Sequence, residues 1–257
     1  MHLTAMRNLA LLVVFAGLSF AVWSLATRSS FSPWYVARWE RVSDHLERME
    51  FVAGQGVKVL LYRLNPAEFN FSLEHSQSPT SVKAWASQVP GEHLVINGFY
   101  FLENYTPAGL LINDSQAQHA QVFDLDKSGV ITLAPAFSII DTAVEAFAPG
   151  GVSEAGQSYP FLLKQGSGSI QADSGLLARR TFMGTDTYGQ VYVGLVWHDE
   201  VSLFELMNIL LEIDTDWETV LNLDGGPSSG LAIETAGFTE VLDSLASVPS
   251  VIVIQPK

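Results

Sequence analysis

Short apolar runs separated by turn residues leave this chain one economical architecture, strands packed face to face around a shared core. The runs fall at residues 57–63, 69–73, 94–96, 121–125, 130–133, 159–163, 180–183, 191–196, 218–223 and 248–255. Asp126-Lys127-Ser128-Gly129, between two of them, has the composition of a tight hairpin turn, and residues 186–189 join two others. Helical periodicity is clearest at 202–213, where Leu203, Leu206, Met207, Leu210 and Leu211 repeat on one face. Ser202 and Glu205 stand at its start in the spacing of a capping box. A shorter helix fits residues 81–87. There is no repeat, low-complexity tract or long linker. The pattern predicts a single α+β domain with a mixed, mainly antiparallel sheet and a few packed helices over residues 57–257, preceded by an extension at 27–56.

Hydrophobic residues make up 48% of the 257, enough for one sizeable core. The 13 lysines and arginines are outnumbered by 27 acidic residues, giving a net charge of -14. Nucleic acids need clustered cations along their phosphates, so a nucleic-acid partner is disfavoured. One anionic substrate in a locally cationic pocket is not. The chain has no cysteine, which excludes disulfides, thiolate metal sites, a cysteine nucleophile and a lipidated cysteine. Residues 8–26 are apolar and uncharged after the lone Arg7, and Ser24 and Ala26 are the small residues a signal peptidase reads. Residues 1–26 are therefore expected to be a signal peptide or, because the run is just long enough to span a bilayer, a membrane anchor. Either expectation places the remainder in the periplasm or outside the cell.

The most chemically suggestive stretch is Asn222-Leu223-Asp224-Gly225-Gly226-Pro227-Ser228-Ser229, an apolar strand ending in an acid, two glycines and two hydroxyls. Glycine admits backbone angles closed to other residues and lets a ligand approach the main chain. Asp224 is then a carboxylate at a rigid strand end beside the Ser228 hydroxyl, a placement common for catalytic groups. The same residues also suit a plain tight turn. Gly226-Pro227-Ser228-Ser229-Gly230 matches the serine-hydrolase elbow letter for letter, but an elbow opens a helix and residues 231–234 read as strand. The last histidine, His198, also precedes Ser228, so that triad order is unavailable. None of the six histidines forms an H-x-x-x-H or H-x-H pair, which argues against a histidine zinc site. Calcium bound by oxygen alone stays open at Asp124, Asp186 or Asp224, although the ligand series after Asp124 and Asp126 does not continue as an EF-hand requires. No other cofactor is expected.

Two further clusters stand out. Asn97-Gly98-Phe99-Tyr100-Phe101 follows an apolar strand and precedes Glu103, Pro107 and Gly109, and Arg179-Arg180 leads into Gly184, Asp186 and Gly189. Alone, each suits a turn or a surface ion pair of little energetic weight. In order, the pieces are Asn97-Gly98 with its aromatics, Pro107-Ala108-Gly109-Leu110, Gln157-Ser158-Tyr159-Pro160, Arg180 with Gly184-Thr185-Asp186, the helix opening at 202–205, and Asn222-Leu223-Asp224-Gly225-Gly226. That series resembles the phosphodiester glycosidase family over roughly residues 57–254, and the Asn-Leu-Asp-Gly-Gly block is its specific part. Two positions depart from the family pattern. Phe99 stands where a small residue is usual and would narrow a nearby cleft, and Pro227 replaces a third glycine, removing an amide that could donate to phosphate.

The resemblance implies an exported hydrolase cleaving a sugar-1-phosphodiester or a related phosphorylated glycan linkage. Such a reaction stabilises an oxocarbenium-like sugar while a phosphate, already a good leaving group, departs. Asp224 is then the carboxylate that stabilises the sugar, attacks it or activates water, with Glu103 and Asp186 as candidates for a second acid. Arg180 is implied as the phosphate clamp, since a guanidinium meets phosphate oxygens in a planar, two-pronged way. Asn97, Gly225, Gly226 and Ser228 are implied as substrate-binding. The competing reading is a non-catalytic envelope protein that binds glycans or assists exopolysaccharide assembly, for which Tyr100, Phe101 and Tyr105 suit stacking on sugar rings. A different phosphodiester, as in teichoic-type polymers, is a third.

Overall fold

Strands dominate the computed structural model, which describes residues 37–257 apart from Phe123. In chain order the elements are β1 (Glu40–Arg41), β2 (Leu46–Val52), β3 (Lys58–Leu64), β4 (Phe69–Thr80), α1 (Val82–Ala86), β5 (His93–Asn97), β6 (Leu111–Asn113), β7 (Gln116–His119), β8 (Gly129–Ala134), β9 (Ser138–Asp141), β10 (Glu154–Ser158), β11 (Phe161–Lys164), β12 (Ser167–Gly168), β13 (Ala178–Asp186), β14 (Val191–Val201), α2 (Leu203–Glu212), β15 (Trp217–Asn222), β16 (Leu231–Glu234), β17 (Thr239–Leu242) and β18 (Val248–Pro256). They form an eight-stranded sheet ordered β1-β2-β3-β14-β13-β15-β11-β12 and two five-stranded sheets, β7-β6-β10-β8-β9 and β17-β16-β5-β18-β4. Every pairing between these strands is antiparallel. The expected mixed sheet is thus three antiparallel ones, and with 48% strand against 11% helix the fold is predominantly β.

The period-two alternation of the strands builds the layers. Leu94 and Ile96 of β5 point into the central core beside Leu60, Leu221 and Ile252, while Val95 between them turns outward under α1 with Val82 and Ala86. On the far face of the eight-stranded sheet, Phe182, Tyr192 and Val220 pack beneath Leu206, Met207 and Leu210 of α2. The Ser202–Glu205 capping box is formed as expected, with both reciprocal bonds present.

Two expectations are corrected. The domain does not begin at residue 57, because β2 pairs with β3 along its whole length, from Leu46 opposite Leu64 to Val52 opposite Lys58. The described part of the supposed extension is therefore sheet, with buried Met49 in its core. Nor do residues 121–133 form a hairpin. The turn is a 3-10 helix, Leu125–Lys127, whose cap Asp124 accepts from the Asp126 amide at 3.0 Å. Upstream of it, Val122 donates to Oε1 of Gln157 at 2.9 Å and accepts from its Nε2 at 2.7 Å. A primary amide carries the same donor and acceptor as a strand backbone, so one buried glutamine stands in for a ladder partner. The export segment expected at 1–26 lies outside the described residues, among which no helix is long and apolar enough to cross a membrane.

Candidate active site

The ends of β5 and β15 and the start of β13 converge, and the residues singled out in the sequence are gathered there by hydrogen bonds. Asn97 is fully buried. Its Nδ2 donates to the Asp224 carbonyl at 2.7 Å, and its Oδ1 accepts from Thr181 Oγ1 at 2.8 Å and from the Gly230 amide at 3.1 Å. One side chain thus fastens both ends of the 224–230 turn to β13. With its polar atoms committed inside the protein, Asn97 is scaffold and is not free to orient a sugar.

Gly225 and Gly226 are glycines for different reasons. Gly226 has φ +61° with open space around it, so it needs left-handed backbone freedom. Gly225 has ordinary extended angles, but a Cβ there would sit 2.9 Å from the Arg179 carbonyl. Three of the turn amides are engaged internally: Gly225 N–H on Asp224 Oδ1 at 2.9 Å, Ser228 N–H on the Gly225 carbonyl and Ser229 N–H on the Gly226 carbonyl, both at 3.2 Å. The turn therefore commits most of its amides internally, and its two glycines are required first by its shape. The chain leaves the 3-10 turn Gly226–Ser228 as strand β16, with no helix behind Ser228. A nucleophile elbow is absent accordingly.

Asp224 is partly buried at this strand end. Burial pushes its carboxyl up to about 6, opposed by hydrogen bonds from the Ser228 hydroxyl and the Gly225 amide. Arg180 keeps only 8% of its surface. Its Nε donates to the Val201 carbonyl at 3.0 Å and Nη2 to the Leu176 carbonyl at 2.7 Å, which uses two of its five N–H groups. Burial draws its pKa down, countered only by Tyr100. Among the described residues no carboxylate pairs with it. In a chain with twice as many acids as bases, a buried arginine without an acid is a specific arrangement, since desolvating such a charge costs several kcal/mol.

Tyr100 is close enough to feel both charges. Burial raises its hydroxyl pKa well above the usual value, Asp224 adds to the rise and Arg180 opposes it. Its ring stacks on Tyr159 at 4.5 Å and 24°. Its oxygen meets Asn222 Nδ2 at 2.6 Å. Asn222, fully buried, sits opposite Phe182 in the β13–β15 register, so it shares a sheet face with Arg180 two residues along. Sequence reasoning saw Tyr100 only as a stacking aromatic and gave Asn222 no role. The signal available was position: Asn222 ends β15 two residues before Asp224.

The other candidates stand apart. Asp186 is at the opposite end of β13, six residues from Arg180 and about 20 Å along an extended strand. Its carboxylate is engaged by the Tyr188 and Gln190 amides at 2.9 Å and by the Tyr192 hydroxyl at 2.8 Å, closing the β13–β14 turn. Glu103 is exposed on the 102–106 loop and joins no hydrogen bond of the cluster. Phe99 does not narrow a cleft. It is 3% exposed and lies in the central core against Gly156, where a Cβ would come within 2.1 Å of its ring. No group of three or more metal-ligating side chains gathers among the described residues, and Asp124, Asp186 and Asp224 each serve a local turn. A bowl of about 740 Å³ lined by Arg41, Asp44, His45 and Glu92 lies at the far end of β5 from Asn97. Its Arg41, Asp44 and His45 are solvent-exposed, so it holds no desolvated charges like those of Asp224 and Arg180.

The site thus sets a buried arginine without an acid partner near a strand-end carboxylate in an antiparallel β fold. The chain belongs to the phosphodiester glycosidase family, whose model matches residues 90–255. It is similar in structure to a hypothetical protein from Synechocystis, with TM-score 0.60 and 14% identity over 88% of this chain, and spans 65% of that protein's length. It is also similar to the catalytic domain of zebrafish N-acetylglucosamine-1-phosphodiester α-N-acetylglucosaminidase, auto-inhibited by its pro-peptide, with TM-score 0.57 and 13% identity over 89% of this chain and 86% of that one. At such identities the likeness establishes a shared fold. Comparison with curated proteins finds no match.

Proposed function

We propose that this protein hydrolyses a sugar-1-phosphodiester or a closely related phosphorylated glycan linkage, with Asp224 as the carboxylate and Arg180 as the phosphate-binding cation. The observation that carries the reading is that Arg180 lies against Gly225, whose amide holds Asp224, while among the described residues no salt bridge neutralises either charge and both act on Tyr100. A substrate anionic at phosphorus and developing positive charge at the anomeric carbon complements that spacing. Arg180 holds the phosphate oxygens. Asp224, ionised above about pH 6, faces the sugar and stabilises its positive charge, attacks it or takes a proton from water. Ser228 and the Gly225 amide keep the carboxylate oriented. The export expected from residues 8–26 belongs to the same proposal and puts envelope or extracellular glycans within reach.

Purified protein incubated with a panel of sugar-1-phosphodiesters is expected to release free sugar, and Asp224→Asn and Arg180→Ala to abolish that release while remaining folded. Full activity in both folded variants refutes the proposal. Oligosaccharide binding without turnover, unchanged by Asp224→Asn, favours a glycan-binding module instead.

A further inference from the structure

We infer that Tyr100 is a further catalytic residue, donating a hydrogen bond from its hydroxyl to the oxygen that bridges sugar and phosphorus in the substrate. This rests on the phosphodiester reading of the same site. The inference comes from following one proton. Asn222 Nδ2 is surrounded by the Tyr159 carbonyl at 3.1 Å, the Leu223 carbonyl at 2.8 Å and the Tyr100 hydroxyl oxygen at 2.6 Å. Carbonyls only accept, so the amide must present its NH₂ group on that side. The orientation of Asn222 is thereby fixed by chemistry: its two N–H groups are shared among three acceptors, its Oδ1 is buried without a partner among the described residues, and Tyr100 cannot donate to the amide nitrogen. Its own O–H points elsewhere, and among the described residues it reaches no acceptor.

The hydroxyl is also held still. The ring is stacked on Tyr159, and the Tyr100 carbonyl is fixed by the Ala108 amide at 2.9 Å. Asn222, which orients it, is itself tied down through its backbone: its N–H donates to the Pro160 carbonyl at 3.1 Å and its carbonyl accepts from Ser158 Oγ at 2.6 Å. A preorganised donor whose proton lacks a protein acceptor, and which feels both the phosphate-holding arginine and the sugar-facing carboxylate, matches the bridging oxygen rather than either end.

In the reaction the bond from the anomeric carbon to that oxygen breaks, and its electron pair stays on the oxygen, now part of a phosphomonoester. The Tyr100 hydrogen bond strengthens as this charge develops. Water supplies the new hydroxyl on the sugar, and its proton passes to the Asp224 carboxylate. Tyr100 keeps its own proton, because its affinity lies far above that of a phosphate ester, whose second pKa is about 6.

The test compares Tyr100→Phe with wild type on two substrates, a sugar-1-phosphodiester and its analogue with sulfur as the bridging atom. Sulfur accepts hydrogen bonds weakly. On the oxygen substrate Tyr100→Phe is expected to lower kcat about 100-fold with KM little changed, the effect of removing one donor to a developing anion. On the sulfur substrate the two enzymes are expected to run within a few-fold of each other. Equal losses on both substrates mean that the ring merely shapes the site, and unchanged kcat on oxygen means that no such bond forms. Either result overturns the role while Asp224→Asn, inactive in parallel, keeps the wider reading intact. A wild type that turns over neither substrate removes that reading and this one together.

Discussion

Replacing Asp224 by asparagine should make the protein more stable, and only above about pH 5. Burial lifts the carboxyl from 3.8 to about 6, a rise worth about 3 kcal/mol at about 1.4 kcal/mol per pH unit. Because the folded state holds the proton more tightly than the unfolded chain, this contribution favours folding fully below pH 3.8. It is lost as pH rises through about 6. Asparagine never ionises, so Asp224→Asn escapes the loss. It trades charge-assisted hydrogen bonds from Ser228 and Gly225 for neutral ones, which gives back about 1 kcal/mol. The net gain at pH 8 is about 2 kcal/mol, or about 4–8 °C in Tm for a domain of this size. Thermal unfolding of both proteins followed by circular dichroism at unit steps from pH 4 to pH 8 checks this, since every other titrating group cancels in the difference. The Tm difference should start near zero and open in favour of the asparagine variant. A difference that stays flat with pH, or a variant less stable than wild type at pH 8, would show that Asp224 is not a desolvated carboxylate.

Arg180→Ala should weaken binding of a sugar 1-phosphate about 10- to 100-fold by calorimetry, the range expected for lost charge-assisted hydrogen bonds, and Arg180→Lys should restore little because lysine lacks the planar fork. Asn97→Ala removes three buried bonds that fasten the 224–230 turn and should lower stability by about 2–4 kcal/mol in urea unfolding. An unchanged midpoint would return Asn97 to the list of free side chains. Gly156→Ala drives a methyl to within 2.1 Å of the Phe99 ring and should destabilise by about 1–3 kcal/mol. Phe99→Leu, harmful alone, should relieve part of that in the double variant.

Legibility in the sequence followed the range of the interactions involved. The capping box at Ser202 and Glu205 and the strands flanking Asp224 are set by neighbours a few residues apart, and they stand where local patterning puts them. The 121–133 segment failed because its pairing depends on Gln157, about thirty residues downstream, whose amide replaces a ladder that hairpin chemistry would otherwise form. Mainly antiparallel pairing was legible, whereas the division into three sheets and the pairing of β2 upstream of residue 57 were not, since both are decided by which strands meet.

The site shows the same division in a form that bears on its chemistry. A polar residue at the end of an apolar strand looks identical in sequence whether it serves a ligand or the fold, so Asn97 after one run and Arg180 at the start of another carried equal weight there. What separates them is satisfaction. Asn97 has its carbonyl oxygen filled twice and one amide N–H bonded to the Asp224 carbonyl, and Gln157 is satisfied in full by the Leu110 and Val122 amides and by the Val122 and Lys127 carbonyls. Arg180 keeps a buried charge without an acid, Asp224 keeps a proton at pH values where free aspartate has lost it, and Tyr100 keeps a hydroxyl hydrogen with nowhere in the protein to go. Buried polar groups are normally partnered because leaving them otherwise costs 1–3 kcal/mol each, and more for a charge. Three such groups brought together from three distant segments are tolerable only where a rigid frame holds them, and a phosphodiester is the ligand whose anion, bridging oxygen and anomeric carbon would satisfy all three at once.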